Sequence, residues 1–139
     1  MPPPAGAGYS GKTLAAKLGL SSGMAAAAIN PPPQYAKLLG DVAAPGRLGR
    51  GKYAFIHLFA ADRAGLEQHV AVAVAQLAPG GALWISWPKK ASPQFKDLTE
   101  NLIRDIVLPL GVVDVKVCAV DADWSGLKFV WRKPIAQTI

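Results

Sequence analysis

Two strand-like apolar runs on either side of one amphipathic segment constrain the fold of this chain more than any other feature. Residues 52–59 are aromatic and β-branched and are apolar on both faces except at His57, and residues 82–87 form a second short apolar run. Strands that are apolar on both faces are typical of parallel sheets covered by helices. Between them, Asp62 is suited to cap a helix. The apolar residues of that helix recur at helical spacing, at Leu66, Val70, Ala73, Val74 and Leu77. We therefore predict a strand–helix–strand unit whose helix is ended by Pro79-Gly80-Gly81.

The preceding residues continue the alternation of helices and strands. Residues 12–18 predict a short helix ended by Gly19, and the alanine-rich residues 23–29 predict a thin strand bounded by Asn30 and three prolines. Residues 35–39 can form one or two helical turns, and residues 40–51 are predicted to be a loop.

The following residues add one helix and a hairpin. Residues 97–100, Asp-Leu-Thr-Glu, have the form of a capping box, and Pro109 and Gly111 end the helix that it would start. Residues 112–120 and 126–132 predict two strands, and the short turn between them favours an antiparallel hairpin. The whole pattern predicts an α/β fold, a three-layer sandwich with a mostly parallel sheet and a C-terminal antiparallel hairpin.

Length and composition indicate one globular domain. The chain has 139 residues, of which 51% are hydrophobic and 17% charged. We expect a disordered lead-in at residues 1–8 and a single α/β domain at residues 9–139. No apolar run reaches the roughly 20 residues that cross a bilayer, and the amino terminus lacks the features of a secretory signal. The lone Cys118 excludes an internal disulfide, so we expect a cytoplasmic protein.

The charge favours an anionic partner over nucleic acid. Fifteen Lys and Arg against nine Asp and Glu give a net charge of +6. The basic residues are scattered and form no dense stripe with interleaved aromatics, so nucleic-acid binding is not expected. An anionic small molecule or a protein partner fits the excess, and a simply solvated basic surface is the alternative.

A phosphate-loop pattern occurs near the amino terminus. Residues 6–13 match G-x-x-x-x-G-K-[ST], whose glycine amides hold phosphates in nucleotide-binding enzymes. That loop normally follows a buried strand, whereas Met1–Ala5 contain three prolines. We interpret the match as chance and keep a nucleotide-binding enzyme as an alternative.

The candidate binding residues follow the predicted strands. Asn30 follows the first strand, and Trp87, Lys89 and Lys90 lie at the end of the third, so all should lie at one edge of a parallel sheet. The two lysines can hold a phosphate or carboxylate whose planar group stacks on Trp87. Trp124, in the predicted hairpin turn, is a further candidate. Each also has a structural interpretation, as a solvated loop, a packed indole or a turn residue. Whether the Trp87–Pro88 bond is cis stays open.

Catalytic and metal-binding groups are not evident in the sequence. No acidic partner can be assigned to His57, so we favour a hydrogen-bonded core histidine over a general base. Cys118 is interpreted as core, and Asp121 and Asp123 lack the further ligands that a metal site needs. The sequence therefore predicts a binding or regulatory module for an anionic ligand or a protein partner, rather than an enzyme. A pure interaction role would require Trp124 and Trp131 to be exposed.

The segment 53–131 resembles the second half of class I methyltransferases. Leu77-Ala78-Pro79-Gly80-Gly81 matches the joint of that family between a helix and the next strand. The resemblance implies a Rossmann-like, methyltransferase-like sheet and S-adenosylmethionine as cofactor. However, Asn30-Pro31-Pro32-Pro33 stands where the family has a Gly-rich turn, and the acidic ribose-binding residue has no clear counterpart. An atypical S-adenosylmethionine-dependent methyltransferase is therefore the alternative function.

Nearly the whole chain from Tyr9 also resembles a bacterial family defined only as a domain of unknown function. The resemblance rests on Y-S-G at 9–11, S-W-P-K-K at 86–90, D-L-T at 97–99, V-D-V-K-V-C-A-V-D at 113–121 and W-S-G-L-K-F-V-W-R at 124–132. It implies no activity, cofactor or site residue.

Overall fold

The computed structural model describes residues 13–40, 49 and 51–132. In this part of the chain the strands are β1 (Ala26–Ile29), β2 (Tyr53–Phe59), β3 (Leu77–Pro88), β4 (Val112–Ala119) and β5 (Trp124–Trp131). The helices are α1 (Leu14–Leu18), α2 (Tyr35–Leu39), α3 (Arg63–Ala75) and α4 (Glu100–Val107), and a 3₁₀ turn at Leu108–Leu110 follows α4. The predicted lead-in, most of the loop at 40–51 and all of the phosphate-loop match except Thr13 lie outside the described residues.

The described strands form one mixed sheet in the order β1-β2-β3-β5-β4. Strands β1, β2 and β3 are parallel, and β5 is antiparallel to both β3 and β4. Because parallel neighbours need crossover connections, α2 and α3 link the first three strands, whereas a short turn is enough between β4 and β5. The predicted α/β architecture with a mostly parallel, Rossmann-like sheet and a C-terminal hairpin is confirmed.

Each face of the sheet carries its own hydrophobic core. On one face, Leu58 and Ile85 pack with residues of α3 and α4, such as Leu66 and Ile103. On the other face, alternate residues of the same strands, including Phe59 and Trp84, pack with α1 and α2. Since successive side chains of a strand point to opposite faces, both sets come from one apolar run. This explains why the runs in β2 and β3 show no polar alternation.

The joint between α3 and β3 differs from the prediction. The helix ends at Ala75, not at Pro79-Gly80-Gly81, and β3 already begins at Leu77. Tyr53 pairs with Leu77 and Phe55 with Ala82, so β3 has extra residues that bulge from the ladder with β2. Gly80 in this bulge has a φ of 76°. The prediction was wrong because pairing with β2 extends the strand through a local helix-stop signal.

The capping of α4 also differs from the prediction. Thr99, not Asp97, is the N-cap of this helix, and its Oγ1 accepts a hydrogen bond from the Leu102 amide at 3.2 Å. The Asp97 Oδ1 atom instead accepts from the Arg63 amide at the start of α3, at 2.9 Å. Asp62 caps α3 as predicted, by accepting from the Gly65 amide. Two carboxylates thus lie at the amino end of α3, where the helix dipole favours negative charge.

Among the described residues, no helix is long and apolar enough to cross a bilayer.

Candidate functional site

The carboxyl ends of β1, β2 and β3 define the candidate site, which we call the carboxyl edge. Asn30 directly follows β1, is exposed, and has a φ of 55°. Asparagine tolerates this left-handed backbone better than most residues, which fits a tight exit from the strand. Pro31, Pro32 and Pro33 come next and have no amide hydrogens, so this turn offers few backbone donors to a ligand.

The residues at the end of β3 divide between core and surface. Trp87 is only 6% exposed and belongs to the core on the α3 and α4 face, so its position does not fit the predicted stacking role. The Trp87–Pro88 bond is trans. Lys89 is half-buried and Lys90 is exposed. The Lys89 amide donates to the Asp123 carbonyl at 2.8 Å, which ties this loop to the hairpin turn.

Trp124 lies at the same edge but on the other face of the sheet. It is 6% exposed and packs edge-to-face against Phe59, with 5.3 Å between ring centroids. The structure therefore brings Asn30, Lys89, Lys90 and Trp124 to one edge but separates the two indoles of Trp87 and Trp124 by the sheet. Burial of Trp124 also removes the exposed indole that a pure interaction role would require.

The indole nitrogen of Trp124 differs from those of two other tryptophans. Trp84 Nε1 donates to the Leu18 carbonyl at 2.7 Å, and Trp131 Nε1 donates to the Leu77 carbonyl at 3.1 Å. Trp124 Nε1 is buried and has no hydrogen-bond acceptor among the described residues.

A side-chain bond that the sequence did not predict crosses the edge. Gln34 Nε2 donates to Asp121 Oδ2 at 2.9 Å and joins the turn after β1 to the hairpin turn. Asp121 Oδ1 accepts from the amides of Asp123 and Trp124 at 2.8 and 2.9 Å. No local signal could have indicated the bond to Gln34, since 87 positions separate the two residues.

A buried polar network lies below the edge. His57 Nδ1 is 2.8 Å from Tyr35 Oη, and His57 Nε2 is 2.7 Å from Ser86 Oγ. All three residues are buried, and the His57 ring stacks on Phe59 at 4.1 Å. Burial lowers the pKa of His57 to about 3 and raises the pKa of Tyr35. The prediction of a hydrogen-bonded core histidine is confirmed, and the neutral ring donates to one partner and accepts from the other.

The structure also places the other candidate groups of the described chain. No group of three or more His, Cys, Asp or Glu could hold a metal ion there. Cys118 is half-buried on the edge strand β4 and packs against the core of the α1 and α2 face, and burial raises the pKa of its thiol. Thr13, the described end of the phosphate-loop match, serves as the N-cap of α1.

Comparisons with known proteins show a similarity in fold only. No family model matches the chain, nor does any curated protein sequence. It is similar in structure to the magnesium protoporphyrin IX methyltransferase from Synechocystis PCC 6803 with bound SAM (TM-score 0.50, 15% identity, 71% of this chain and 51% of that one). It is also similar to a fibrillarin pre-rRNA processing protein from Methanococcus jannaschii (TM-score 0.48, 16%, 76% and 55%). A third is an N-methyltransferase from Bradyrhizobium japonicum WM9 (TM-score 0.45, 17%, 66% and 59%).

The likeness to the Synechocystis structure supports the predicted methyltransferase-like sheet and, at 15% identity, carries no function. The chain spans between 51% and 59% of the length of these three structures. Membership of the bacterial family of unknown function stays a prediction.

Proposed function

We propose that this chain binds an anionic small molecule at the carboxyl edge of a methyltransferase-like sheet. The observation that carries the proposal is the convergence of three parallel strand ends, the Lys89-Lys90 pair and the hairpin turn on one edge. In open α/β sheets, this is the edge at which ligands bind.

The chemistry of the edge favours side-chain recognition of an anion. The three prolines after β1 remove amide donors that could otherwise surround a phosphate or carboxylate. The ammonium groups of Lys89 and Lys90 supply charge instead, and the hydrogen bond from the Lys89 amide to Asp123 fixes the start of their loop. Charge-assisted hydrogen bonds of this type are among the stronger polar contacts in proteins.

Binding without catalysis fits the buried position of His57. His57 lies at this end of the sheet, but its two ring nitrogens are occupied by Tyr35 and Ser86, and it is fully buried. A general base must reach the proton that it removes, which a sealed imidazole does not.

The second candidate function is an atypical S-adenosylmethionine-dependent methyltransferase. The likeness in fold supports this candidate more directly than it supports a non-catalytic module, because the Synechocystis structure is described with bound SAM. The residues after β1 do not fit the usual Gly-rich turn for this cofactor, since three are prolines. An adenosyl compound would need a different set of donors here, and we assign no catalytic step to it.

A thermal-shift panel separates the two candidates. Phosphate, sulfate, S-adenosylmethionine and S-adenosylhomocysteine would be tested against the wild type and the Lys89→Ala/Lys90→Ala variant. A ligand at one hundred times its Kd should stabilise the protein by about 2.7 kcal/mol. We expect inorganic anions to stabilise the wild type and to lose this effect in the variant.

The matched control is Lys52→Ala/Arg132→Ala, which removes the same charge at the opposite edge of the sheet. Both residues are exposed, and they lie at the start of β2 and the end of β5. Equal loss in both double variants would indicate general electrostatics and contradict the proposed site. Stabilisation by adenosyl compounds alone would favour the methyltransferase, and a panel without any effect would contradict both candidates.

A further inference from the structure

Trp124 Nε1 is the buried donor at the carboxyl edge that the described fold does not satisfy. Buried polar groups in folded proteins nearly always have a partner, and an indole nitrogen can only donate. Its partner must therefore be an acceptor atom. The indole nitrogens of Trp84 and Trp131 each donate to a backbone carbonyl, so the lack of an acceptor is particular to Trp124 among these three.

The surroundings of Trp124 connect this donor to the lysine loop. Trp124 pairs with Pro88 in the sheet, and the carbonyl of its neighbour Asp123 accepts from the Lys89 amide. The backbone at Trp124 is therefore adjacent to the segment that carries the two ammonium groups. Positive charge close to this turn favours an anionic acceptor.

The bond between Gln34 and Asp121 borders the same position. Asp121 Oδ1 holds the Trp124 amide, while Asp121 Oδ2 holds the side chain of Gln34 from the turn after β1. This contact between two turns is one neutral amide donating to one carboxylate, and it is only part-buried. Asp121 therefore fixes the turn that holds the backbone of Trp124.

We infer that Trp124 Nε1 donates a hydrogen bond to a carboxylate or phosphate oxygen of the bound ligand. The inference rests on the proposed function. It adds that the indole N–H group of Trp124 recognises an acceptor oxygen of the ligand. The lysines supply positive charge, and the indole N–H group orients the ligand oxygen that it binds.

The first test needs no ligand. Trp124→Phe keeps an aromatic ring against Phe59 and removes the N–H group, and Trp84→Phe is the matched control because it removes a satisfied N–H group. We expect the urea midpoint of Trp124→Phe to equal or exceed that of the wild type, and that of Trp84→Phe to fall. An equal fall in both variants would show that the Trp124 donor is already bonded and would overturn the inference.

The second test follows the indole N–H signals by ¹H–¹⁵N NMR during titration with phosphate and with S-adenosylhomocysteine. The Trp124 signal, assigned by its loss in Trp124→Phe, should shift on binding of one probe. Trp124→Phe should bind that probe about tenfold more weakly or worse.

The failures of the two proposals are distinguishable. A probe that stabilises the wild type but leaves the Trp124 signal unmoved overturns the role of the indole and leaves the lysine site intact. A probe whose affinity is unchanged in Trp124→Phe does the same. If neither probe binds the wild type at millimolar concentration, the anion site and the inference built on it are both overturned.

Discussion

His57 shows how one residue can link three elements of this fold. It lies on β2 and bonds Tyr35 at the start of α2 and Ser86 near the end of β3. Each bond satisfies a ring nitrogen that would otherwise be buried without a partner, at a cost of about 1–3 kcal/mol. The network therefore holds α2 over the strand ends from which the candidate site is built.

The buried histidine makes stability dependent on pH. Its pKa is about 3 in the folded protein and about 6.5 when unfolded, so between these values the unfolded state binds more protons. The free energy of unfolding should therefore fall as the pH drops below about 6.5, by up to about 1.4 kcal/mol per unit. Urea unfolding at pH 7, 6 and 5 measures this, and about 2 kcal/mol should be lost by pH 5.

Carboxylates titrate in a similar range, so a variant must isolate the histidine. His57→Gln should reduce the slope of stability against pH relative to the wild type. An identical slope in wild type and His57→Gln would contradict the assignment to His57.

Strand β3 is the element that shapes the site. It pairs with β2 on one side and β5 on the other, and its carboxyl end delivers the lysine loop. At its other end, the bulge after Leu77 brings Gly81 close to backbone atoms of β3 and of β2. A Cβ atom added at Gly81 would lie 2.9 Å from the Ala78 carbonyl oxygen and 3.1 Å from that of Ala54.

Two neighbouring glycines in this bulge should respond differently to substitution. Gly81→Ala forces a methyl group against two backbone oxygens and should destabilise the protein by about 3 kcal/mol. Gly80 has space around it, and asparagine accepts its left-handed backbone. Gly80→Asn should therefore cost about 1 kcal/mol or less. Chemical denaturation of both variants measures the difference, and equal losses would argue against the bulge geometry.

At the scale of the whole molecule, the two outer strands of the described sheet, β1 and β4, differ in exposure. All four residues of β1 are buried, although it is an edge strand within the described part of the chain. On β4, Val115 and Val117 are 56% and 52% exposed, and the pairing with β5 is irregular between Asp114 and Lys116. A bulge and a lysine are common devices that protect an exposed strand edge from further pairing.

Hydrogen exchange should reflect this difference. Amides of β2 and β3, between two cores, should be the most protected, and those of residues 115–119 in β4 the least among the strands. NMR-detected exchange of the native protein gives both values in one experiment, with β5 as an internal reference. Equal protection of β4 and β3 would contradict a fold whose stability is centred on the parallel strands.

The sequence by itself determined the elements and their order. The apolar runs of β2 and β3, the alanine strand β1, the Asp62 cap and the hairpin all follow from local periodicity and turn chemistry, which act over a few residues. The same local information placed Asn30, Trp87, Lys89 and Lys90 at one edge, because parallel strands share the direction of their ends.

Only the tertiary structure decided which side chains meet. Trp87 and Trp124 are both near strand ends, but strand alternation and register put them on opposite faces. Asp97 has the sequence context of an α4 cap, yet the amino end of α3 lies closer to it. Pro79-Gly80-Gly81 would end a helix locally, but pairing with β2 holds it in a bulged strand. Tyr35, His57 and Ser86 are apart in the chain and together in the core, since partners of this kind depend on packing between elements and leave no local signal.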